Sequence, residues 1–146
     1  MILSRNSEYA VRLIFYLSER QPLPRYLRIK EVAQDLDVPY YQLAKVANTL
    51  ITKKILVSST GPTGGIDLAV DAESLTLANI LELFGDNEVF DSCILGLPEC
   101  TGENPCPIHS VWGTTRDEMK DIFFKKTLGE LKAEAVLPIL GHKDTK

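Results

Sequence analysis

Residues 29–50 read Ile29-Lys30-Glu31-Val32-Ala33-Gln34-Asp35-Leu36-Asp37-Val38-Pro39-Tyr40-Tyr41-Gln42-Leu43-Ala44-Lys45-Val46-Ala47-Asn48-Thr49-Leu50. Ile29, Val32, Ala33 and Leu36 recur at helical spacing, and Leu43, Val46, Ala47 and Leu50 repeat the pattern after Asp37-Val38-Pro39. The spacing predicts two short amphipathic helices with a tight connection. Pro39 suits the start of the second, where its missing N–H would be unpaired anyway. Asp37 stands where the turn needs a left-handed residue, which Asp tolerates better than most. Small Ala33 lets the two helices cross closely. This is the pattern of a helix-turn-helix, although any helical hairpin shares the spacing.

Residues 55–70 select between the two. Ile55-Leu56-Val57-Ser58-Ser59 reads as a strand, Gly61-Pro62-Thr63-Gly64-Gly65 as a turn and Ile66-Asp67-Leu68-Ala69-Val70 as a returning strand. A helix-turn-helix joined directly to such a hairpin is a winged helix, whose second helix enters the major groove of DNA while the wing lies beside the phosphates. The candidate phosphate contacts are Arg5, Arg25, Arg28, Lys30, Lys45, Lys53 and Lys54. Tyr40, Tyr41, Gln42 and Lys45 are positioned to reach base edges, and Thr63 belongs to the wing turn. Charge is distributed accordingly. Residues 1–70 hold nine Lys/Arg against six Asp/Glu, whereas residues 71–146 hold seven against fourteen. Such asymmetry fits a nucleic-acid-facing front and a regulatory rear, inside a chain of net charge −4.

On the N-terminal side, Tyr9, Ala10, Leu13, Ile14 and Leu17 predict a helix over 4–19 with Ser4 or Ser7 as N-cap. Val11, Phe15 and Tyr16 widen its apolar surface, so it is either buried on two sides or part of a dimer contact. Residues 21–24 end it in a loop. On the C-terminal side, Thr76 predicts the N-cap of a short helix bearing Leu77, Ile80, Leu81 and Phe84, stopped by Gly85. A longer helix is expected from about Ser110 to Thr127, with Trp112, Thr115, Met119, Ile122 and Phe123 on one stripe. It is either a dimer arm or a helix packed on its own domain. Residues from about 137 onward read as a polar tail.

All three cysteines, Cys93, Cys100 and Cys106, fall between the two C-terminal helices, and His109 comes three residues after the last. Pro98, Pro105, Pro107, Gly96 and Gly102 exclude one continuous helix or strand there. A loop this rich in breakers builds no core; it wraps soft ligands around something, with a thiolate from each turn pointing inward. Iron–sulfur clusters and zinc are the usual occupants. No Cys-x2-Cys knuckle of the zinc type is present, and electron-transfer clusters normally take four cysteines. The alternatives are a zinc-binding or thiol-redox-regulated winged-helix regulator and, from the enzyme class, a thiol redox enzyme using Cys93 or Cys106. No nucleophile–base pair suggests catalysis, since His142, the second of two histidines, lies in the tail. The charged N-terminus does not read as a signal peptide, and no apolar run approaches the roughly 18 residues of a spanning helix. The expectation is a cytoplasmic protein with no membrane partner.

The combination resembles the IscR/NsrR-type family of bacterial iron–sulfur transcription regulators over roughly residues 1–131. The resemblance rests on Ser7-Glu8-Tyr9-Ala10-Val11-Arg12, the block 29–50, the wing 56–69, and three cysteines ending in Cys106-Pro107-Ile108-His109. It implies a mainly α fold with a small β-hairpin wing: a winged helix-turn-helix domain over 1–85, a cysteine-cluster loop and long C-terminal dimerisation helix over 86–131, and a tail over 132–146. It implies a homodimer on double-stranded DNA, with a 2Fe–2S or 4Fe–4S cluster on Cys93, Cys100 and Cys106 that senses nitric oxide, oxygen or iron–sulfur status. The IscR-like branch points to His109 as fourth ligand. The NsrR-like branch points to Glu8 of the partner subunit, and the context Tyr9-Ala10-Val11-Arg12 favours it. Two departures stand out. The cysteine gaps of six and five residues make the loop one residue longer than the family pattern, and Thr60 occupies the place where family wings carry an Arg.

Overall fold

The computed structural model describes residues 3–19 and 26–133. The expected loop 21–24, Arg25 and the tail beyond 133 lie outside the described residues. The elements are α1 (Arg5–Ser18), α2 (Ile29–Leu36), α3 (Tyr40–Thr52), β1 (Leu56–Ser59), β2 (Gly65–Leu68), α4 (Leu77–Leu83), α5 (His109–Lys125) and α6 (Leu128–Ala133), with 3-10 turns at Ala72–Ser74 and Asp86–Phe90. This is a mainly helical winged helix-turn-helix with a long C-terminal helix, as the sequence predicts.

Helix α1 is the centre of the head. Ser4 caps it by accepting from the Ser7 N–H, and nine of its fourteen residues are buried. The wide apolar surface is therefore buried on two sides. Leu13, Ile14 and Leu17 meet Leu36 of α2, Leu43 and Leu50 of α3, Leu56 and Ile66 of the hairpin and Ile80 of α4 in one cluster. Polar ties fix the helix-turn-helix to α1: Arg12 Nη2 donates to the Leu36 carbonyl, and the Tyr16 hydroxyl donates to Asp35. The first tie also places a cation at the negative end of α2.

The connection between α2 and α3 is built as expected. Asp37 adopts φ 54° and ψ 51°, and Pro39 is the N-cap of α3. The N–H groups of Asp37 and Val38 donate to the carbonyls of Gln34 and Ala33 at 3.2 and 3.0 Å, closing the end of α2. The hairpin pairs Leu56 with Leu68 and Ser59 with Gly65, each strand somewhat shorter than predicted. A third segment joins it, for Leu27 bridges Ile66 through two backbone hydrogen bonds of 3.0 and 2.8 Å.

Helix α4 begins with a full capping box between Thr76 and Asn79, and Gly85 comes after it at φ 73°. Helix α5 spans 17 residues, close to the predicted range, and none of them is buried in the chain. Of the predicted stripe, Trp112, Met119 and Phe123 are half-buried, whereas Thr115 and Ile122 are exposed. The chain then returns to the head: Leu128 is fully buried in its core, and its N–H donates to the Leu75 carbonyl at 2.7 Å. Gly129 permits that return, since a Cβ there would sit 2.5 Å from Glu73 Cγ.

Candidate metal centre and nucleic-acid interface

The cysteine loop runs from Cys93 to Ile108 and is held at both ends by α5. The Trp112 indole N–H donates to the Ser92 carbonyl at 3.0 Å, and Lys120 pairs with Asp91 at 3.4 Å. Just upstream, buried Phe90 stacks edge-on against Phe123 and Phe124, with centroids 5.3 and 5.0 Å away. Within the loop Cys93 and Cys106 each begin a turn and Cys100 ends one. Gly96 N–H donates to the Cys93 carbonyl at 2.9 Å, Cys100 N–H to Leu97 at 3.2 Å, and His109 N–H to Cys106 at 3.0 Å. Gly96 takes φ 70°, which a side chain would resist. A tight turn between Thr101 and Asn104 carries the chain from the second cysteine to the third.

Three turns thus bring three half-buried sulfurs together, all within 4.8 Å of one another. Cys93 Sγ and Cys106 Sγ stand 3.8 Å apart, while Cys100 Sγ lies 3.2 Å from His109 Nδ1 and accepts from the Cys106 N–H at 3.4 Å. Two thiolates about 3.8 Å apart match the spacing on one tetrahedral ion with metal–sulfur bonds of about 2.3 Å. The donor set is soft and suits iron–sulfur or zinc over hard cations. The thiols are also electrostatically unequal. Cys93 is pulled below its ordinary pKa, first by the Leu97 N–H against an opposing desolvation, then by the Leu95 N–H and the neighbouring thiols. Cys100 moves up: the Cys106 N–H lowers it, but desolvation and the Cys106 and Cys93 thiols outweigh that bond. Cys93 is the readiest of the pair to offer a thiolate, the form a metal takes.

The two fourth-ligand candidates are placed differently. His109, the first residue of α5, lies against Cys100 in the same chain. Glu8 sits in the first turn of α1, where its carboxylate faces Arg5 at 3.9 Å.

The candidate DNA contacts form a partial cluster. Arg28, Lys30 and Tyr40 line a groove of about 440 Å³ together with Gly61 and Gly64 of the wing. Lys30, Tyr40 and Tyr41 line a second hollow between α2 and α3. Tyr41 is 84% exposed and packs edge-on against Tyr40 at 5.3 Å. Gln42 and Lys45 are exposed on α3, and Thr63 is exposed at the wing tip. Lys53 and Lys54 occupy the turn after α3, with Lys54 at φ 61°. Arg5 lines neither groove and spends its charge on Glu8.

The chain matches the Rrf2 family, described as iron-dependent transcriptional regulators, over residues 3–134. It belongs to that family. A relative from Aquifex aeolicus (strain VF5), assigned to the HTH-type transcriptional regulators, is 32% identical over 133 residues, 90% of this chain and 91% of that one. The HTH-type transcriptional regulator IscR of Vibrio campbellii is 25% identical over 99% of this chain and 85% of its own. Among solved structures, CymR, the global cysteine regulator of B. subtilis, superposes with a TM-score of 0.75 at 17% identity, covering 91% of this chain and 97% of that one. Rrf2 proteins are transcriptional regulators rather than enzymes, which removes the thiol redox enzyme from consideration.

Within this Rrf2 fold the groove contains residues that the sequence reading passed over. Asn48, Ser58 and Ser59 line it beside Arg28 and Tyr40. Asn48 was detectable, being eight positions from Tyr40 on one helical face. The serines gave no signal, because hydroxyls are ordinary on the outer face of a hairpin. Asp86 was equally silent; it accepts from Ser4 N and Ser4 Oγ at 2.9 and 2.6 Å, joining residues 82 positions apart. No described helix is long and apolar enough to cross a membrane.

Proposed function

We propose that this Rrf2 chain is a homodimeric DNA-binding transcription regulator whose DNA affinity depends on the state of an iron–sulfur cluster on Cys93, Cys100 and Cys106. The observation that carries the reading is the convergence of three thiols within 4.8 Å in a loop that α5 ties at both ends, beside a winged head. The cluster, when bound, supplies a centre that nitric oxide, oxygen or iron–sulfur shortage can alter. The chain's own residues do the rest. Cys93 and Cys106 would supply one pair of donors and Cys100 with His109 the other, a set that suits a 2Fe–2S or a 4Fe–4S cluster. His109 is the fourth ligand in this reading, because it needs no closure of a further loop. Glu8 of the partner subunit is the second reading; its side chain is 33% exposed and its carboxylate faces Arg5.

The dimer face is the outer side of α5. Val111 and Ile122 are 67% and 48% exposed there, and a second copy of the chain would cover them. In this division residues 1–85 are the DNA-reading head and 86–131 the sensing and dimerising part, with Leu128 binding the second to the first and 132–146 as tail. Tyr40, Tyr41, Gln42 and Lys45 read bases, while Arg28, Lys30, Lys53 and Lys54 contact phosphates and Thr63 rides the wing tip.

Anaerobic purification tests the centre. The expected product is coloured, with iron and acid-labile sulfide in equal amounts; a colourless protein with zinc and no sulfide would sink the cluster. For DNA, Lys53→Ala should weaken binding alike across sequences, whereas Tyr41→Ala or Gln42→Ala should change preference among them. Absence of binding to every duplex in a random pool, with cluster present or removed, would end the regulator reading.

A further inference from the structure

The wing carries no cation of its own. Residues 55–70 contain no Lys or Arg, and their one charged side chain is Asp67. A hairpin meant to lie against phosphates therefore begins with the wrong electrostatics.

Arg28 stands immediately before α2, at its N-cap, and makes no capping bond there. That place favours Ser, Thr, Asp or Asn, and the positive end of the helix dipole opposes a cation. A residue that breaks a local rule calls for a contact elsewhere. The contact exists: Arg28 Nη2 donates to the Pro62 carbonyl at the wing tip, 2.9 Å away and 34 residues on. The backbone arranges the meeting. Leu27 is bridged to Ile66, and Gly65 allows the approach, since a Cβ there would lie 2.3 Å from the Leu27 carbonyl oxygen. The tip itself is closed by the Gly64 N–H donating to Gly61 O at 3.0 Å.

We propose that Arg28 is the wing's cation: a DNA-phosphate contact that the Pro62 carbonyl holds at the wing tip, so that α2, α3 and the wing meet the backbone as one unit. A guanidinium has five N–H donors in a rigid fork. One is spent on Pro62, and among the described residues the Arg28 side chain has no other hydrogen bond or ion pair. The remainder serve a phosphodiester oxygen at the edge of the groove that Arg28 shares with Lys30 and Tyr40. Lysine has the charge but not the rigid planar fork that fixes the two directions.

This inference rests on the DNA-binding reading, and its test separates the two. The probe is a duplex selected by the wild-type full-length protein from a random library, titrated over a series of salt concentrations and footprinted with hydroxyl radicals. Arg28→Ser should bind about tenfold more weakly, with the salt slope lowered by about one. Protection should be lost at the wing-side phosphates alone. Because serine caps a helix better than arginine, its thermal midpoint should equal or exceed that of the wild type. Adding Thr60→Arg, which puts a cation on the exposed tip itself, should restore the slope in the Arg28→Ser background. An unchanged slope and footprint in Arg28→Ser, or no recovery on adding Thr60→Arg, overturns the role of Arg28 and leaves the regulator intact. A wild-type protein that selects no duplex defeats the regulator reading instead.

Discussion

The winged head and the cysteine loop are held together by opposite means. In α1 nine of fourteen residues are buried, and in α5 none of seventeen is. Full burial of one Leu stabilises by about 1.5–3 kcal/mol, so the head has many such terms and the loop region few. Between Cys93 and Ile108 the side chains of Ile94, Leu95 and Leu97 are about half exposed, and order comes from short turns and the α5 tethers. A segment assembled without a core depends on whatever its ligand atoms hold and on whatever covers α5. The head is finished within one chain; in the proposed function a bound centre and a second subunit would finish the loop.

The largest way to sharpen that contrast is to remove a thiol. Cys93→Ala, Cys100→Ala and Cys106→Ala should each lose most of the bound iron while far-ultraviolet circular dichroism stays near wild type, because the side-chain hydrogen bonds of these residues stay within the loop and the start of α5. Full iron retention in all three variants would mean the centre lies elsewhere.

Cavity-forming changes should divide the molecule the other way. Leu50 of α3 is fully buried in the core of the head, so Leu50→Ala should lower stability by about 3 kcal/mol and the thermal midpoint by roughly 10 °C. Leu95 is 57% exposed, and Leu95→Ala should stay within about 0.5 kcal/mol of wild type. A comparable loss at both positions would show that the loop belongs to the cooperative core after all.

The fourth ligand gives a smaller, spectroscopic difference. His109→Ala should shift the visible absorption of the loaded protein and speed its bleaching, while Glu8→Ala changes little. The reverse outcome moves the ligand to Glu8 of the partner subunit and makes each centre an affair of two chains.

The same contrast explains what was legible in the sequence. The head could be read because its signals are local: apolar spacing in α2 and α3, Asp37 in the turn, the Thr76 cap, and glycines at the wing tip. The three thiols were legible as a set because breakers between them leave only turns. Their geometry was not, for nothing in the spacing says that Cys93 meets Cys106 or that His109 meets Cys100. The preference for Glu8 came from a resemblance in α1, whereas the fold places the histidine against a thiol of the same chain. Long-range ties were invisible for the same reason. Arg28 looked like one more free cation until the Leu27–Ile66 bridge carried it to Pro62.

The smallest expected effect lies at the seam between the two regions. Asp86 comes after α4 on the way into the loop, and its carboxylate accepts from Ser4 N and Ser4 Oγ at the start of α1. Partial desolvation pushes its pKa up, but hydrogen bonding from Ser4 and Ser7 at the start of α1 outweighs it and holds the carboxyl below the usual aspartate range. A negative charge at a helix N-terminus is also favoured by the dipole. A depressed folded pKa stabilises the fold at pH values above the unfolded pKa, and that contribution is lost as pH falls through the folded pKa. Asp86→Asn should therefore lower stability slightly at neutral pH, by no more than about 1 kcal/mol given solvent screening. The gap to wild type should close under acid conditions, where the wild-type carboxyl is protonated too. Thermal midpoints measured across pH check this, and a gap that stays constant with pH would mean that the seam is held by packing and not by the charge. Iron content should not change, because the tie anchors the entrance of the loop and not the thiols within it.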